Sequence, residues 1–360
     1  MLETFRSSSK LLNTCIGHTG WVWSIDYSTF ADRQFICSGS ADKTVCVWDF
    51  DDNKQIQSFN AYSSIVYCVK FSPYHYYNHR QNVICSSLRD KTISFWDFEY
   101  NQQLKIFNGH SGIIYGITFS SFNGSRYLCS GSDDKTIRLW DIRTSKSLHI
   151  FKGHTNTVRC VDISPLQSNR NNLNKSNTIG VIGGNGYTIC SGSWDNTIRI
   201  WDIETTKQFI LFKGHQDIVR SVKYGLNELG IINYANIILS GSNDKSVRLW
   251  DIRSGQQIQM FNGHTNYVSA VEYSPFVVKN IGVGCSSNVI CSGSFDNTIR
   301  FWDIRSNKKE LHVINGNKED RRITCLKFLS LKKESKRSDY FDYGVNLCYG
   351  SENGPVRIWG

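Results

Sequence analysis

Short apolar runs and small polar clusters alternate along this chain in an order that keeps returning. In the clearest copy, Ser130-Gly131-Ser132-Asp133-Asp134-Lys135 is followed by Thr136-Ile137-Arg138-Leu139-Trp140-Asp141-Ile142-Arg143. Ile137 to Trp140 is a β-prone run. Asp134-Lys135 before it suits a turn, because an Asp side chain can bond the backbone close by. Runs such as Val158 to Ile163 are apolar on both faces, which predicts strands packed from both sides. The small residues of Ser-Gly-Ser leave room for close approach where the strand meets its partner.

The same words return as SGSWDNTIRIWDIE ending at Glu204, SGSNDKSVRLWDIR ending at Arg253 and SGSFDNTIRFWDIR ending at Arg305. Earlier copies close on Trp48 and Trp96, and the last on Trp359-Gly360, so tryptophans 48, 96, 140, 201, 250, 302 and 359 share one position. Self-similarity of this kind means an array of supersecondary units. A Gly-His pair precedes most of them, at His18, His110, His154, His215 and His264.

With these offsets recurring together, the chain resembles the WD-repeat family over almost its whole length. The resemblance implies an all-β fold, a seven-bladed β-propeller of four-stranded antiparallel blades. It implies one domain over residues 10–360 after a loose stretch, 1–9. The repeats fall near 10–50, 51–98, 99–143, 144–204, 205–253, 254–305 and 306–360. A family repeat starts with the outer strand of the previous blade. Lys10 to Ile16 is therefore expected to complete blade seven and remove an open edge.

The family also buries a hydrogen-bonded set of four in each blade. The matching residues are His18, Ser38, Asp42 and Trp48; His110, Ser130, Asp134 and Trp140; His154, Ser191, Asp195 and Trp201; His215, Ser240, Asp244 and Trp250; His264, Ser292, Asp296 and Trp302. Asp accepting from His, His meeting Ser, and Ser meeting the indole N–H satisfies each polar group. Repeat two departs, with Ala61-Tyr62 for Gly-His and Ser86-Ser87-Leu88-Arg89-Asp90 for the polar cluster. Repeat seven departs further, with Gly316-Asn317, Tyr349 for Ser and Asn353 for Asp, so the family's set of four is broken there.

Composition changes the picture only locally. The chain has twelve cysteines and no CxxC pair, which gives zinc and redox chemistry little support. Cys37, Cys85, Cys129, Cys190, Cys291 and Cys348 share one strand position, and Cys68, Cys160 and Cys325 another, as small buried hydrophobes of a reducing compartment would. The first ten residues lack a signal-peptide core and no run is long enough to span a membrane, so the expected address is cytoplasmic or nuclear. Insertions at 166–186, 226–235, 276–287 and 331–343 read as surface loops. Residues 305–337 hold eleven Lys or Arg against four acids, most of the formal +10, and read as a solvated segment.

A His-Ser-Asp set repeated five times with a closing Trp is structure, so no catalysis, cofactor or metal is expected. Residues that recur, including Arg138, Arg199, Arg248, Arg300 and Arg357, belong to the frame; residues that vary can tell one ligand from another. In the family two variable positions face one rim. One precedes the tetrad Asp: Ala41, Arg89, Asp133, Trp194, Asn243, Phe295 and Glu352. The other follows Gly-His: Trp21 and Trp23, Ile65 and Tyr67, Ile113 and Tyr115, Thr157 and Arg159, Ile218 and Arg220, Tyr267 and Ser269, with Arg322 and Thr324 aligned last. Trp, Tyr and Arg are the residues of interface hot spots. Trp21, Trp23, Tyr67, Arg89, Tyr115, Asp133, Arg159, Trp194, Arg220, Tyr267 and Phe295 are therefore the candidate protein-binding set. The forked guanidinium groups of Arg159 and Arg220 suit an acidic or phosphorylated group.

The expected function is a non-catalytic scaffold or recognition module for one or more proteins, as a monomer or a subunit of a complex. Two alternatives stand beside it. WDxR boxes at Arg143, Arg253 and Arg305 resemble those of cullin-type ubiquitin-ligase substrate receptors. The basic 305–337 segment would suit a ribonucleoprotein or chromatin assembly.

Overall fold

The computed structural model describes residues 5, 9–30, 33–60, 64–164, 187–225, 236–275, 289–306, 310–330 and 345–360. The four expected insertions, the Ala61-Tyr62 pair and much of the basic segment lie outside them. The described residues form seven four-stranded antiparallel sheets, the blades of a propeller. In six of them the strands neighbour one another in chain order.

A repeated turn makes the second and third strands of a blade fold back. Lys43, Lys91, Lys135, Asn196, Lys245 and Asn297 sit at positive φ, between 62° and 74°. The Asp before each of them holds the turn: Asp134 Oδ1 accepts from Thr136 N at 3.0 Å and from Thr136 Oγ1 at 2.6 Å. Asp195 does the same with Thr197 at 3.1 and 2.6 Å. Asp-Lys and Asp-Asn in the sequence are thus the chemistry of a left-handed turn residue.

The glycine of Ser-Gly-Ser has a different role from the one its spacing suggests. A Cβ on Gly192 would stand 2.6 Å from Val219 Cγ1, and one on Gly131 2.8 Å from Val158 Cγ1. Those valines belong to the inner strand of the next blade, so the close approach is between blades as well as within one. Gly350 meets Val22 at 2.8 Å, carrying the same contact across the junction of the last blade with the first.

Ring closure uses the N-terminal strand. Leu11–Cys15 pairs antiparallel with Val356–Trp359, with Thr14 opposite Arg357 and Cys15 opposite Val356. Lys10 and Gly360 exchange backbone hydrogen bonds at 3.1 and 3.2 Å. Phe5, in the stretch expected to be loose, is 5% exposed and packs on Phe301 with ring centroids 5.9 Å apart.

The His, Ser, Asp and Trp of five blades are hydrogen bonded. In repeat four, His154 Nδ1 lies 2.8 Å from Asp195, its Nε2 2.7 Å from Ser191, and Trp201 Nε1 donates to Ser191 at 2.8 Å. The corresponding sets around His18, His110, His215 and His264 have His–Asp distances of 2.7 to 2.9 Å. Blade seven solves the same problem with other residues. Asp320, fully buried, accepts from Tyr349 Oη at 2.8 Å and from Arg357 Nε and Nη2 at 2.7 and 2.8 Å. Arg357 Nη1 also reaches Thr14 Oγ1 at 3.1 Å, tying this cluster to the closing strand. The place of the tetrad is therefore filled, and its acid is Asp320 from the preceding loop; the exposed Asn353 takes no part in it.

A short helix, Pro73–His79, joins the first two strands of blade two and was not anticipated. Ser72-Pro73 is its sequence signal, since Pro is tolerated in a helix's first turn. Tyr76 packs on Phe30, centroids 4.4 Å apart.

Removing residues 1–16 takes the fourth strand and Thr14 from blade seven. The truncated chain is expected to lose several kcal/mol, the scale of a strand's burial, read as a fall in Tm. An unchanged Tm would contradict closure by this strand.

Asp195→Ala strands His154 and should cost about 1–3 kcal/mol. Asp320→Ala leaves Arg357 buried without its partner and should cost more, about 3–5 kcal/mol, while Asn353→Ala should cost least. Urea midpoints of the three variants test that order.

Acid should weaken the fold. Burial alone would raise the carboxyls of Asp42, Asp134, Asp195, Asp244 and Asp296, but their His hydrogen bonds hold them well below the usual range. Burial pushes His110, His154 and His215 down despite those Asp partners. Both directions mean the unfolded chain takes up protons first as pH falls. Stability should drop below about pH 6.5, where unfolded His begins to charge, and again near pH 4. His18 opposes this: burial lowers it, but bonds to Asp42 and Cys46 outweigh burial and bring it to about 9, so its contribution is lost only on the alkaline side. Burial brings His75 down as well, to about 4, so with four histidines against one the urea midpoint is expected to be lower at pH 5 than at pH 7.5.

Candidate functional site

The inner strand of each blade carries a register shift at its second residue. Those residues are Trp23, Tyr67, Tyr115, Arg159, Arg220, Ser269 and Thr324. An extra residue of this kind bends the strand and re-aims its side chain. Five of the seven are large, and they meet at one mouth of the central channel. The two small ones bond backbone instead: Ser269 Oγ to Ile323 O at 2.6 Å, and Thr324 Oγ1 to Gly350 O at 2.9 Å.

Seven aromatic rings form a continuous chain of contacts there. Trp194 meets Tyr115 at 6.2 Å between centroids, Tyr115 meets Tyr67 at 4.7 Å, and Tyr67 meets Trp23 at 6.0 Å. Trp23 stacks on Trp21 at 4.9 Å, Trp21 meets Phe295 edge-on at 5.7 Å, and Phe295 meets Tyr267 at 5.9 Å. Trp194 and Tyr267 are exposed, while Phe295 is buried. The aromatics of the candidate set thus pack on one another across the mouth, so their exposed surface is shared, and smaller than seven free side chains would offer.

Three arginines lie on these rings. Arg159 sits 4.8 Å from the Tyr115 centroid, 5.7 Å from that of Tyr67 and 5.6 Å from that of Trp23. Arg220 lies over Phe295 and Tyr267 at 5.0 and 5.4 Å, and its Nε donates to Asn243 Oδ1. Arg322, aligned least securely by sequence, lies 5.4 Å from both Trp21 and Phe295 and pairs with Glu352 at 3.3 Å. Burial lowers the Arg159 pKa, and burial with repulsion from Arg159 brings Arg220 to about 10. Cation–π contact offsets part of the desolvation of such groups.

Beneath the mouth runs a belt of charge that sequence reasoning missed. Lys70 and Lys327 both reach Asp26, at 3.3 and 2.9 Å, and Lys223 reaches Glu272 at 3.2 Å. Asp162 accepts from Tyr224 N at 2.9 Å, and burial raises its pKa. Asp26, Lys70, Asp162, Lys223, Glu272 and Lys327 occupy equivalent inner-strand positions, and aligning the repeats there was the available signal.

Two candidates stand apart from the ring chain. Exposed Arg89 lines a cleft with Lys43, Ser64, Ile65 and Asp90. Asp133 accepts from Thr157 Oγ1 at the rim. Of the WDxR arginines, Arg305 holds Asp303 at 3.0 Å, and Nη2 and Nε of Arg253 lie 3.0 and 3.1 Å from the Asn236 side-chain amide, whose oxygen accepts from both once the amide is turned toward them. Arg143 is exposed, and its neighbour Asp141 is clamped by Arg126 at 2.8 and 2.6 Å. Within the basic segment, Arg322 and Lys327 are likewise paired. Among the described residues no group of three or more His, Cys, Asp or Glu is placed to hold a metal ion. Among them, too, no helix is long and apolar enough to cross a membrane.

Seven repeated blades with their variable side chains gathered at one channel mouth define a repeat propeller. The chain belongs to the WD40 family: the pattern "WD domain, G-beta repeat" matches residues 9–49, 53–97, 101–141, 145–202, 206–251 and 255–303. It is 28% identical over 183 residues to Cell division control protein 4 of Saccharomyces cerevisiae, covering 48% of this chain and 21% of that protein. It is 35% identical over 71 residues to the small ribosomal subunit protein RACK1z of Arabidopsis thaliana, covering 20% and 21%. It is 37% identical over 57 residues to the Peroxisomal targeting signal 2 receptor of Mus musculus, covering 16% and 18%. The matched stretches span about a fifth of the length of these relatives.

Proposed function

We propose that this protein is a non-catalytic interaction module that binds a partner protein on the channel mouth and the Gly-His loops around it. The observation that carries this reading is the set of strand bulges, which in five blades turn a Trp, Tyr or Arg toward one place. Frame residues repeat from blade to blade, whereas these differ, and their types are those of interface hot spots. The names of the relatives, a receptor and a ribosomal subunit protein among them, agree with a role in recognition and assembly. The substrate-receptor reading through Arg143, Arg253 and Arg305 has less support, because Arg253 and Arg305 are engaged within the chain. The basic-blade reading is weakened in the same way by the pairing of Arg322 and Lys327.

Trp23→Ala combined with Arg220→Ala should remove partner capture from cells, each truncation costing about 2 kcal/mol or more in binding. Quantitative mass spectrometry of captured proteins, with near-UV circular dichroism to show the fold, reads the result. The Arg143, Arg253 and Arg305→Ala triple variant should keep the same partners. The reverse pattern would place the working surface on the opposite face.

A further inference from the structure

A second surface lies on blade two, at the end of the propeller away from the mouth. We propose that the helix Pro73–His79 there is a stacking platform for single-stranded RNA. Tyr77 is the ring that takes a base, and Arg80 is the group that meets the backbone phosphate. The helix joins the first two strands of its blade, Val66–Phe71 and Val83–Leu88. Neighbouring strands run antiparallel, so this connection lies away from the Gly-His loops. It shares its end with the turn between Ile93–Asp97 and Gln102–Phe107, which carries Tyr100.

Exposure sets these two tyrosines apart. Tyr77 is 68% exposed and Tyr100 is 74% exposed. Among the described residues, the other exposed large apolar side chains lie within outer strands, in the Gly-His loop at Ile16, or at the mouth. A lone bare ring would need no explanation. These two sit in a braced arrangement with cations beside them.

The helix is built to hold its ring outward. Tyr74 and His75 are buried, and His75 Nδ1 lies 2.8 Å from Ser72 Oγ, which fixes the first turn. With that face inward, Tyr77, Asn78, His79 and Arg80 are exposed. Half-buried Tyr76 rests on Phe30, and Tyr77 meets Tyr76 edge-on with centroids 5.4 Å apart. Arg80 lies over the same Tyr76 ring at 5.8 Å. Its backbone is left-handed, with φ 57°, at the end of a helix where glycine is usual. That turn, closed by Arg80 N–H on Tyr76 O at 3.1 Å, brings the guanidinium back over the helix's own rings. The turn of Tyr100 is tied to the same place. Phe98 N donates to Asn82 O at 3.0 Å, Asn82 Nδ2 to Glu99 at 3.1 Å, and Tyr100 N to buried Asp97 at 3.2 Å.

Charge complementarity selects the occupant. Rings and basic groups interleave along Tyr74-His75-Tyr76-Tyr77-Asn78-His79-Arg80, with no acid among them. His79 and Arg80 form no ion pair among the described residues. Lys105 adds positive charge alongside: it acts on His75, and its ammonium is bonded to a neutral carbonyl, Ile142 O, at 2.8 Å. Bases stack on exposed rings whatever their sequence, and guanidinium groups meet phosphate oxygens. A protein hot spot favours a pocket that excludes water, and neither the helix nor the turn carries an exposed aliphatic side chain to wall one. RNA is favoured over DNA by the hydrogen-bonding groups beside the ring. The 2′-hydroxyl both donates and accepts, as the Tyr77 hydroxyl does. The Asn78 amide oxygen is left to accept, its nitrogen being bonded to Tyr74 O at 2.8 Å.

The test uses the full chain and a fluorescein-labelled, unstructured RNA of about 12 nucleotides, within the span one domain covers. Fluorescence anisotropy compares it with DNA of the same sequence, the RNA duplex, and a ribose-phosphate strand without bases. The single-stranded RNA should bind at least about fivefold tighter than each, the scale of one stacked base. Tyr77→Ala should weaken it about fivefold or more and leave the abasic strand unchanged, whereas Tyr77→Phe should keep most of the affinity. Arg80→Gln should weaken both strands and reduce the salt dependence. Near-UV circular dichroism confirms the fold, and all three variants should still capture the partners of the mouth.

Equal binding of the abasic strand, or unchanged affinity in Tyr77→Ala, would show only the attraction of a chain of net charge +10 and overturn the platform. Equal binding of the DNA would overturn the choice of RNA. Absence of RNA binding would overturn the proposal outright, and a captured protein lost in Tyr77→Ala would then assign this end to a protein.

Discussion

The packing of one blade's glycine against the next blade's inner strand is the constraint on which the rest depends. Neither face of a blade is buried until a neighbour arrives, and Gly131, Gly192 and Gly241 leave room for Val158, Val219 and Val268 within about a methyl group's reach. Six such contacts, with Ser87 at the glycine position of blade two, can all be made only if the ring closes. Closure explains why the first strand and the last meet, and why Thr14 is bonded to Arg357 across almost the whole length of the chain.

Closure also creates the site. Inner strands converge on a narrow axis, where long side chains from seven blades compete for space. Deeper in, that competition is resolved by alternating charge, with Lys70 and Lys327 sharing Asp26 and Lys223 paired with Glu272. At the mouth it is resolved by the strand bulges, which lift Trp23, Tyr67, Tyr115, Arg159 and Arg220 over the axis. The aromatic chain is therefore held by neighbours from several blades. A partner meeting it finds rings and guanidinium groups already ordered, which lowers the entropic cost of recognition.

Blade seven shows how much a frame can change while keeping its work. Tyr349 replaces the serine, the loop acid Asp320 replaces the turn acid, and Arg357 supplies the donors. What persists is the pinning of the outer part of the blade to its centre through a buried acid, whereas the closing indole, Trp359 Nε1, is buried without a partner among the described residues.

The architecture was legible in the amino-acid order because its causes are local and repeated. Asp-Lys and Asp-Asn turns, Ser-Gly-Ser and a closing Trp recur at fixed offsets, and each copy checks the others. The five His-Ser-Asp-Trp sets could be written down residue by residue for the same reason. The candidate rim was legible only as a list of variable positions. Whether Trp23 touches Tyr67 or Arg159 depends on how seven inner strands converge, and those residues lie far apart in the chain. The bulges and the role of Asp320 were invisible for that reason, and the charged belt showed only as a column of charged inner-strand positions across the aligned repeats. A register shift and a loop's approach are set by packing among blades, and no single repeat encodes them.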